Sequence, residues 1–274
     1  MGEVKVSVIM PVHNAERFLS ETLSYVMNQT LQEIEIICVN DGSSDSSEQI
    51  IRTCMERDQR IRLINQENSY AGVARNNGLA QAAGEYVVFW DADDMFDETA
   101  LEKMYQEISA AQADICVCGG KKYNEETGAT FETSIYLEKK WLPENKPFSR
   151  ETMPSHIFSF ATNVPWNKMY RRAFVEEHGL KFQNLKQAND TYFVLMAFYL
   201  AQRITYTEET LVTYRTGNGG SLTGKASDTV FCAYDSYLAT WAKLTESADF
   251  SGALRKGFSV RFFRGMIHSL NSQK

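Results

Sequence analysis

Gly84-Glu85-Tyr86-Val87-Val88-Phe89-Trp90-Asp91-Ala92-Asp93-Asp94 is an apolar run that ends in three carboxylates. The run is short and rich in β-branched and aromatic side chains. Gly84 precedes it and an acidic turn follows, the pattern of a central strand covered on both faces. In open α/β sheets, ligands bind beyond the carboxyl ends of the strands, so Asp91 and Asp93 fall on the rim where such folds keep their chemistry. Side chains alternate along a strand with period 2, so two carboxylates two residues apart point the same way. That pair suits a hard divalent cation shared with a diphosphate, because Mg²⁺ takes one or two protein carboxylates and completes its shell with phosphate oxygens and water. The competing reading is an acidic turn ahead of a helix; Asp97 can cap the segment near 98–111.

Working back from this strand, Val4 to Met10 reads as the first strand, ended by Pro11 and Asn14, with Asn14 as N-cap of a helix from about 15 to 28. Ile34 to Asn40 is a second strand. It ends in Asp41-Gly42-Ser43-Ser44-Asp45, where Asp45 and Glu48 make a capping pattern for a helix to about 57. Ile61 to Asn65 is a third strand, followed by a polar loop and a helix through Ala83. Alternating strands and helices predict an α/β fold with a mostly parallel central sheet and helices on both faces. Right-handed crossovers bring the chain after Met10, Asn40 and Trp90 to one rim. Asp41 at such a strand end can accept hydrogen bonds from a pyrimidine N–H, or be a plain Asp-Gly turn residue. Arg75 can touch a phosphate, or bridge the acidic groups as a structural ion pair.

The 274 residues hold one large or two small domains. A 43% apolar and 23% charged composition is that of a globular chain, and the net charge of −7 argues against a broad nucleic-acid surface. Five cysteines without framework spacing argue against a disulfide scaffold and fit a reducing cytoplasm. The strand-like start is not that of a secretory signal, and the longest apolar run, Tyr192 to Ala201, is too short to span a bilayer.

Val8-Ile9-Met10-Pro11-Val12-His13-Asn14, Val39-Asn40-Asp41-Gly42-Ser43-Ser44-Asp45, Ala74-Arg75-Asn76-Asn77-Gly78-Leu79 and Asp91-Ala92-Asp93-Asp94 occur in that order and at fitting intervals. In series they resemble the family 2 glycosyltransferases of the GT-A fold, over roughly residues 4 to 225. The resemblance implies a domain over 1–225, with a nucleotide-binding half (1–118) and an acceptor half (119–225), and a C-terminal helical extension over 226–274. It implies a nucleotide-sugar donor, usually a UDP-sugar, transfer with inversion to a glycan or lipid-linked acceptor, and use in bacterial polysaccharide synthesis. Asp41 would hold the uracil, Pro11 and Val12 would line the base and ribose, and Asp91 would lie near the ribose. Asn14, Arg75 and Ala92 belong to the same nucleotide-sugar set. Asp93 would ligate Mn²⁺ or Mg²⁺ at the diphosphate.

In the second half, Ile115 to Cys118 reads as a strand, Gly119-Gly120 as its end, and the chain to about Leu142 as a polar insertion. Ser149 is placed to cap a helix near 150–159, and Arg171 to His178 reads as helix stopped by Gly179. Asn167-Lys168 resembles a segment bordering the sugar pocket; a solvated lysine is the competing reading. Gln187-Ala188-Asn189-Asp190 opens the long apolar helix, and an Asp there is commonly an N-cap. In the resembling family a Glu-Asp pair at this position supplies the general base. Here Asn189 replaces the Glu and Asp190 keeps the carboxylate, which removes a like-charge neighbour that would raise the base's pKa.

Ile204 to Tyr206 and Leu211 to Tyr214 read as two short paired strands, and Arg215 to Thr223 as a glycine-rich loop resembling a nucleotide lid, with Arg215 toward a phosphate. Beyond it, Val230, Tyr234, Leu238, Trp241 and Leu244 form a helical stripe. Residues 250–274 carry Arg255, Lys256, Arg261, Arg264 and Lys274 and no acid. Such a basic amphipathic helix fits an anionic membrane, a partner or a symmetry mate, or packing on its own domain. Two other functions compete. A nucleotidyltransferase would show a glycine-rich phosphate loop near the first strand, which Pro11-Val12-His13-Asn14 is not. An inactive nucleotide-sugar-binding module has only Asn189 in its favour.

Overall fold

The computed structural model describes residues 3–217 and 230–271. β1 (Val6–Val12), β2 (Ile34–Asp41), β3 (Ile61–Gln66) and β4 (Tyr86–Phe89) lie in the order β3-β2-β1-β4, all parallel. Val6 is in register with both Ile34 and Tyr86, so these strands finish on one rim. All of β2 and β4, and all of β1 except Pro11, is buried. Period-2 alternation divides them between two cores. Val6, Val8, Met10, Val12, Tyr86, Val88 and Trp90 join one face, with Leu19 and Leu23 of α1 (Leu19–Met27). Ile37 and Val39 turn to the other face, against Ala74 of α3 (Tyr70–Leu79), while Val87 and Phe89 meet Phe193 of α6 (Thr191–Leu200). The remaining helix of this half, α2 (Ser47–Met55), returns the chain to β3.

The second half completes a nine-stranded sheet. After β5 (Met95–Phe96) and α4 (Ala100–Ala110) come β6 (Ile115–Asn124), β7 (Ala129–Glu132), β8 (Lys168–Arg171) and β9 (Ile204–Thr216). β8 enters between β4 and β6, antiparallel to both. β9 runs parallel to β6, while β5 and β7 are antiparallel edges. The first four strands are therefore wholly parallel to one another and the rest of the sheet is mixed.

Several local expectations are corrected. α1 starts at Leu19, not residue 15, and Asn14 does not cap it: its φ is +49°, and its Oδ1 accepts the Ser44 N–H at 2.8 Å. The tie to the Asp41-Gly42 turn outweighs the local preference, and asparagine tolerates the left-handed region. Asp45 does accept the Ser47 N–H (2.9 Å) at the start of α2, but Glu48 pairs with Arg52 instead of reaching back. α3 stops at Leu79 rather than Ala83. Gly119 and Gly120 continue β6 through a register shift; a Cβ on Gly119 would lie 2.9 Å from the Glu209 carbonyl oxygen, so the glycine permits close approach of β9. The two short strands at 204–214 are one 13-residue strand, β9.

Residues 150–160 form successive turns and bends instead of a helix. Pro154, in mid-span, lacks an N–H and disfavours helical backbone before it. α5 (Arg172–Glu177) ends as expected at Gly179, φ +57°, where the Leu180 N–H donates to Val175 O and the Gly179 N–H to Glu176 O.

The C-terminal helices are α7 (Val230–Thr245) and α8 (Gly252–Asn271). The buried face of α7 is rotated from the expected stripe: Ser236, Tyr237, Thr240 and Leu244 are buried, whereas Tyr234 and Leu238 are exposed. The inward residues have polar tips with partners. Ser236 Oγ accepts the Tyr192 N–H and donates to Gln183, and the Tyr237 hydroxyl accepts from Asn163 (3.0 Å). Of the expected lid, Asn218 to Thr223 lies outside the described residues.

Candidate active site

The rim begins at the end of β2. Asp41 is almost wholly buried, and its Oδ1 accepts both the Gln66 side-chain amide and the Ser69 backbone N–H at 2.7 Å. The His13 Nδ1–H donates to the Asp41 carbonyl oxygen at 2.8 Å. Asn40 accepts the Ser43 N–H, and Gly42 turns the chain at φ +67° where a Cβ would lie 2.9 Å from Asn68 N. Asn14 ties the β1 exit to this turn. Pro11 is half-buried beside it, while Val12 is fully buried in the core.

Ser69 precedes α3, which carries Arg75 toward the fourth strand end. Arg75 is buried, and its two terminal nitrogens donate in different directions: one to Asp91 Oδ1 at 2.6 Å, the other to Asn189 Oδ1 at 2.9 Å. Its guanidinium also lies 5.3 Å from the Phe182 ring centre. The next residue, Asn76, clamps the Phe182 backbone through both ends of its side-chain amide: Nδ2 donates to Phe182 O at 2.8 Å and Oδ1 accepts the Phe182 N–H at 2.9 Å. Gly72, on the same helix, lets the 183–189 segment approach: a Cβ there would lie 2.2 Å from Gln183 O and 3.0 Å from Asn189 Cβ. Gly72→Ala is therefore expected to push that segment off α3, lowering stability by about 1–3 kcal/mol as overpacking does; denaturant unfolding measures the loss.

The acidic motif is a turn, not a strand continuation, because β4 ends at Phe89. Alternation along a strand is therefore not what orients its carboxylates; their partners are. Asp91 faces Arg75. Asp94 is fully buried, and its Oδ1 accepts the Arg215 N–H at 3.0 Å. Burial, with Asp93 and Asp91 beside it, holds the Asp94 carboxyl well above the usual carboxylate range. Arg215 lies within β9 and not in a loop. Its guanidinium donates to the Asp93 carbonyl oxygen (2.9 Å), Glu125 (2.6 Å) and Glu21 (2.9 Å), 4.4 Å from the Phe18 ring centre. It locks the acidic turn to α1 and β9.

Asp190 occupies the N-cap position of α6, yet its side chain makes no capping hydrogen bond. Burial raises its pKa, opposed chiefly by Arg75. Lys168 is fully enclosed and donates to Thr162 O (3.0 Å), Val164 O (2.7 Å) and Asn167 Oδ1 (2.8 Å). All three N–H bonds thus go to the 162–167 loop, and burial pushes its pKa down to about 7. The lysine is neither solvated nor open to a ligand in this conformation.

Asp41, Arg75, Asp91 and Asn189 are thus linked through α3 and the Arg75 bridge, with Asp93 two residues from Asp91 and Asp190 next to Asn189 in the chain. No group of three His, Cys, Asp or Glu side chains capable of holding a metal occurs among the described residues. Asp91 and Asp93 are hard-oxygen donors by type, the chemistry of a cation that takes most of its shell from a diphosphate and water. A cavity of about 580 Å³ lies at the opposite end of the sheet, lined by Glu85, Asp114, Arg171 and Arg203. There Asp114 pairs with Arg171 at 2.7 Å and the Arg203 guanidinium donates to the Ala111 carbonyl oxygen, so these groups are already engaged within the fold. Sequence reading gave no sign of Gln66 and Ser69 on Asp41, the Asn76 clamp, or Glu21 and Glu125 on Arg215. These partners are separated by up to 194 residues and carry no local signature.

The fold is that of the GT-A glycosyltransferases. The structure of S. aureus TarS residues 1–349 with UDP-GlcNAc superposes with a TM-score of 0.75 at 22% identity, covering 98% of this chain and 72% of that one. The mannosyltransferase PcManGT from Pyrobaculum calidifontis, in complex with GDP-Man and Mn2+, superposes with a TM-score of 0.62 at 17% identity, covering 98% and 73%. The chain belongs to glycosyl transferase family 2, whose model matches residues 7–179. It is 35% identical over 219 residues to the uncharacterized glycosyltransferase EpsJ of Bacillus subtilis, covering 80% of this chain and 62% of the relative. It is 34% identical over 218 residues to the glycosyltransferase GlyA of Streptococcus pneumoniae, covering 78% and 31%. The chain therefore spans between about a third and two thirds of the length of such curated relatives.

Proposed function

We propose that this chain is an inverting glycosyltransferase that moves a sugar from a nucleotide diphosphate, a UDP-sugar, to a hydroxyl of a glycan or lipid-linked acceptor in bacterial polysaccharide synthesis. The observation that carries this reading is Arg75, which joins Asp91 on the donor side to Asn189, next to Asp190, on the acceptor side. Asp41, with Pro11 and Asn14 around it, receives the base; Asp91 and Ala92 lie toward the ribose. Lys168 and Arg215 act by position, the first holding the 162–167 loop and the second the acidic turn. Asp93 would hold Mn²⁺ or Mg²⁺ at the diphosphate. Such a cation, when bound, neutralises charge on the departing diphosphate. Asp190 accepts the proton of the acceptor hydroxyl as its oxygen bonds to the anomeric carbon. The bond from that carbon to the diphosphate oxygen breaks on the opposite face, and its electron pair leaves with the nucleotide. One displacement inverts the centre. The five free thiols fit work in the reducing cytoplasm.

Thermal shift across UDP-, GDP- and dTDP-sugars tests the donor, since ligand raises the midpoint by mass action; transfer assays with the stabilising donor test the reaction. Stabilisation by no nucleotide sugar would remove the donor reading. Asp93→Ala is expected to abolish the gain in UDP affinity that Mn²⁺ confers, read by calorimetry with and without the cation. A base must be deprotonated, and burial raises Asp190 above its usual 3.8, so kcat/KM should climb with pH along an acid limb lying above that value. Asn189→Glu adds a negative neighbour and should move the limb higher still; an unmoved limb would assign it to another group.

A further inference from the structure

Nine large apolar side chains are exposed among the described residues, and six of them are on the two C-terminal helices. On α8, Val260, Phe263 and Ile267 are 40%, 62% and 58% exposed. With Lys256 they fall at spacings of four, three and four residues, one face of a helix. On α7, Phe231 is 72% exposed, and Tyr234 and Leu238 41% each. Ring contacts join the two sets: Tyr234 lies 6.3 Å from Phe262, and Phe262 lies 5.6 Å from Phe263. Scattered single apolar residues are ordinary on a surface, whereas a joined set marks an interaction site.

The charge around this patch is concentrated on α8, while α7 adds one exposed acid, Asp235, between Phe231 and Leu238. The chain as a whole is acidic, at −7, but the described part of α8 carries Arg255, Lys256, Arg261 and Arg264 and no acid. Two of the four are occupied within the fold: Arg261 donates to Asn163 Oδ1 at 2.7 Å, and Arg255 lies 4.9 Å from the Trp241 ring centre. Lys256 and Arg264 are exposed beside the apolar stripe. A negatively charged lipid surface meets both needs at once, with aromatic and aliphatic tips entering the acyl boundary and cations at the headgroups. Among the described residues no helix is long and apolar enough to cross a membrane.

We propose that the outward face of α7 and α8 is a peripheral docking surface for anionic phospholipid, built from Phe231, Leu238, Phe263 and Ile267 with Lys256 and Arg264. It stands apart from the sugar-transfer reading, and neither fails with the other. The test is co-sedimentation of the purified chain with vesicles of phosphatidylcholine alone and of phosphatidylcholine with roughly one third phosphatidylglycerol. Binding is expected on the anionic vesicles only, and should weaken as salt rises. K256E/R264E should weaken it by more than tenfold, at roughly fivefold for each cation removed. F263S/I267S should abolish it while leaving the unfolding midpoint and UDP affinity unchanged, because both side chains are mostly exposed. Absence of binding to either vesicle would overturn the proposal. So would a dimer in solution that Phe263→Asp splits, because the face would then belong to a second copy.

Discussion

Asp190→Asn is expected to lower transfer by about 10³-fold, within the range that a positioned general base contributes, while UDP affinity stays within about twofold. The substitution keeps the shape of the side chain and removes only its ability to take a proton. Asp190 makes no capping hydrogen bond at the start of α6, so helix stability does not depend on it. Single-turnover rates and UDP calorimetry on the same preparation separate chemistry from donor binding. Wild-type turnover in this variant would take Asp190 out of the mechanism. Loss of UDP affinity in equal measure would make it a donor residue instead.

Arg75→Ala should have the second large effect, and on stability as well as rate. The guanidinium is buried and holds Asp91 and Asn189 through bonds of 2.6 and 2.9 Å. Breaking a fully buried pair costs about 3–5 kcal/mol, but Asp91 is 27% exposed and can rehydrate. A loss of about 2–3 kcal/mol follows, equal to a fall in the unfolding midpoint of roughly 5–10 °C for a chain of this size. Transfer should fall too, because the 183–189 segment ahead of Asp190 loses one of its ties to α3. Arg75→Lys keeps the charge but cannot span both acceptors, so it should recover part of the stability and little of the rate. A double-mutant cycle with Asp91→Asn isolates the ion pair; a coupling near zero would show that Arg75 acts through Asn189 alone.

How much of this was legible in the sequence varies by residue, with a physical cause in each case. Val87 and Val88 announced a strand buried on both faces because β-branched runs between turn residues have few other stable outcomes. The Asp41 and Asp93 positions followed from where parallel strands must end. Asn14 was legible as a special residue but not as a left-handed one, since its partner Ser44 is 30 residues away and decides the backbone. Gly119-Gly120 looked like a stop because close approach of another strand, which the glycines allow, is a tertiary fact. Pro154 was a visible signal against a helix at 150–159 and carried more weight than the Ser149 cap. The Arg75–Asn189 contact spans 114 residues, and only the fold reveals it. Asn189 reads in sequence as the loss of a charge; in space it is the acceptor that aligns the guanidinium.

The insertion of β8 between β4 and β6 has a mechanical consequence. Backbone ladders run without a break from β4, which leads into the acidic turn, through β8 to β6 and β9. A clamshell movement of one lobe against the other would have to tear those ladders, so hinge closure around the substrates is closed to this architecture. Under the proposed transfer, motion during turnover falls to the segments that leave the sheet, while the sheet itself stays a fixed floor.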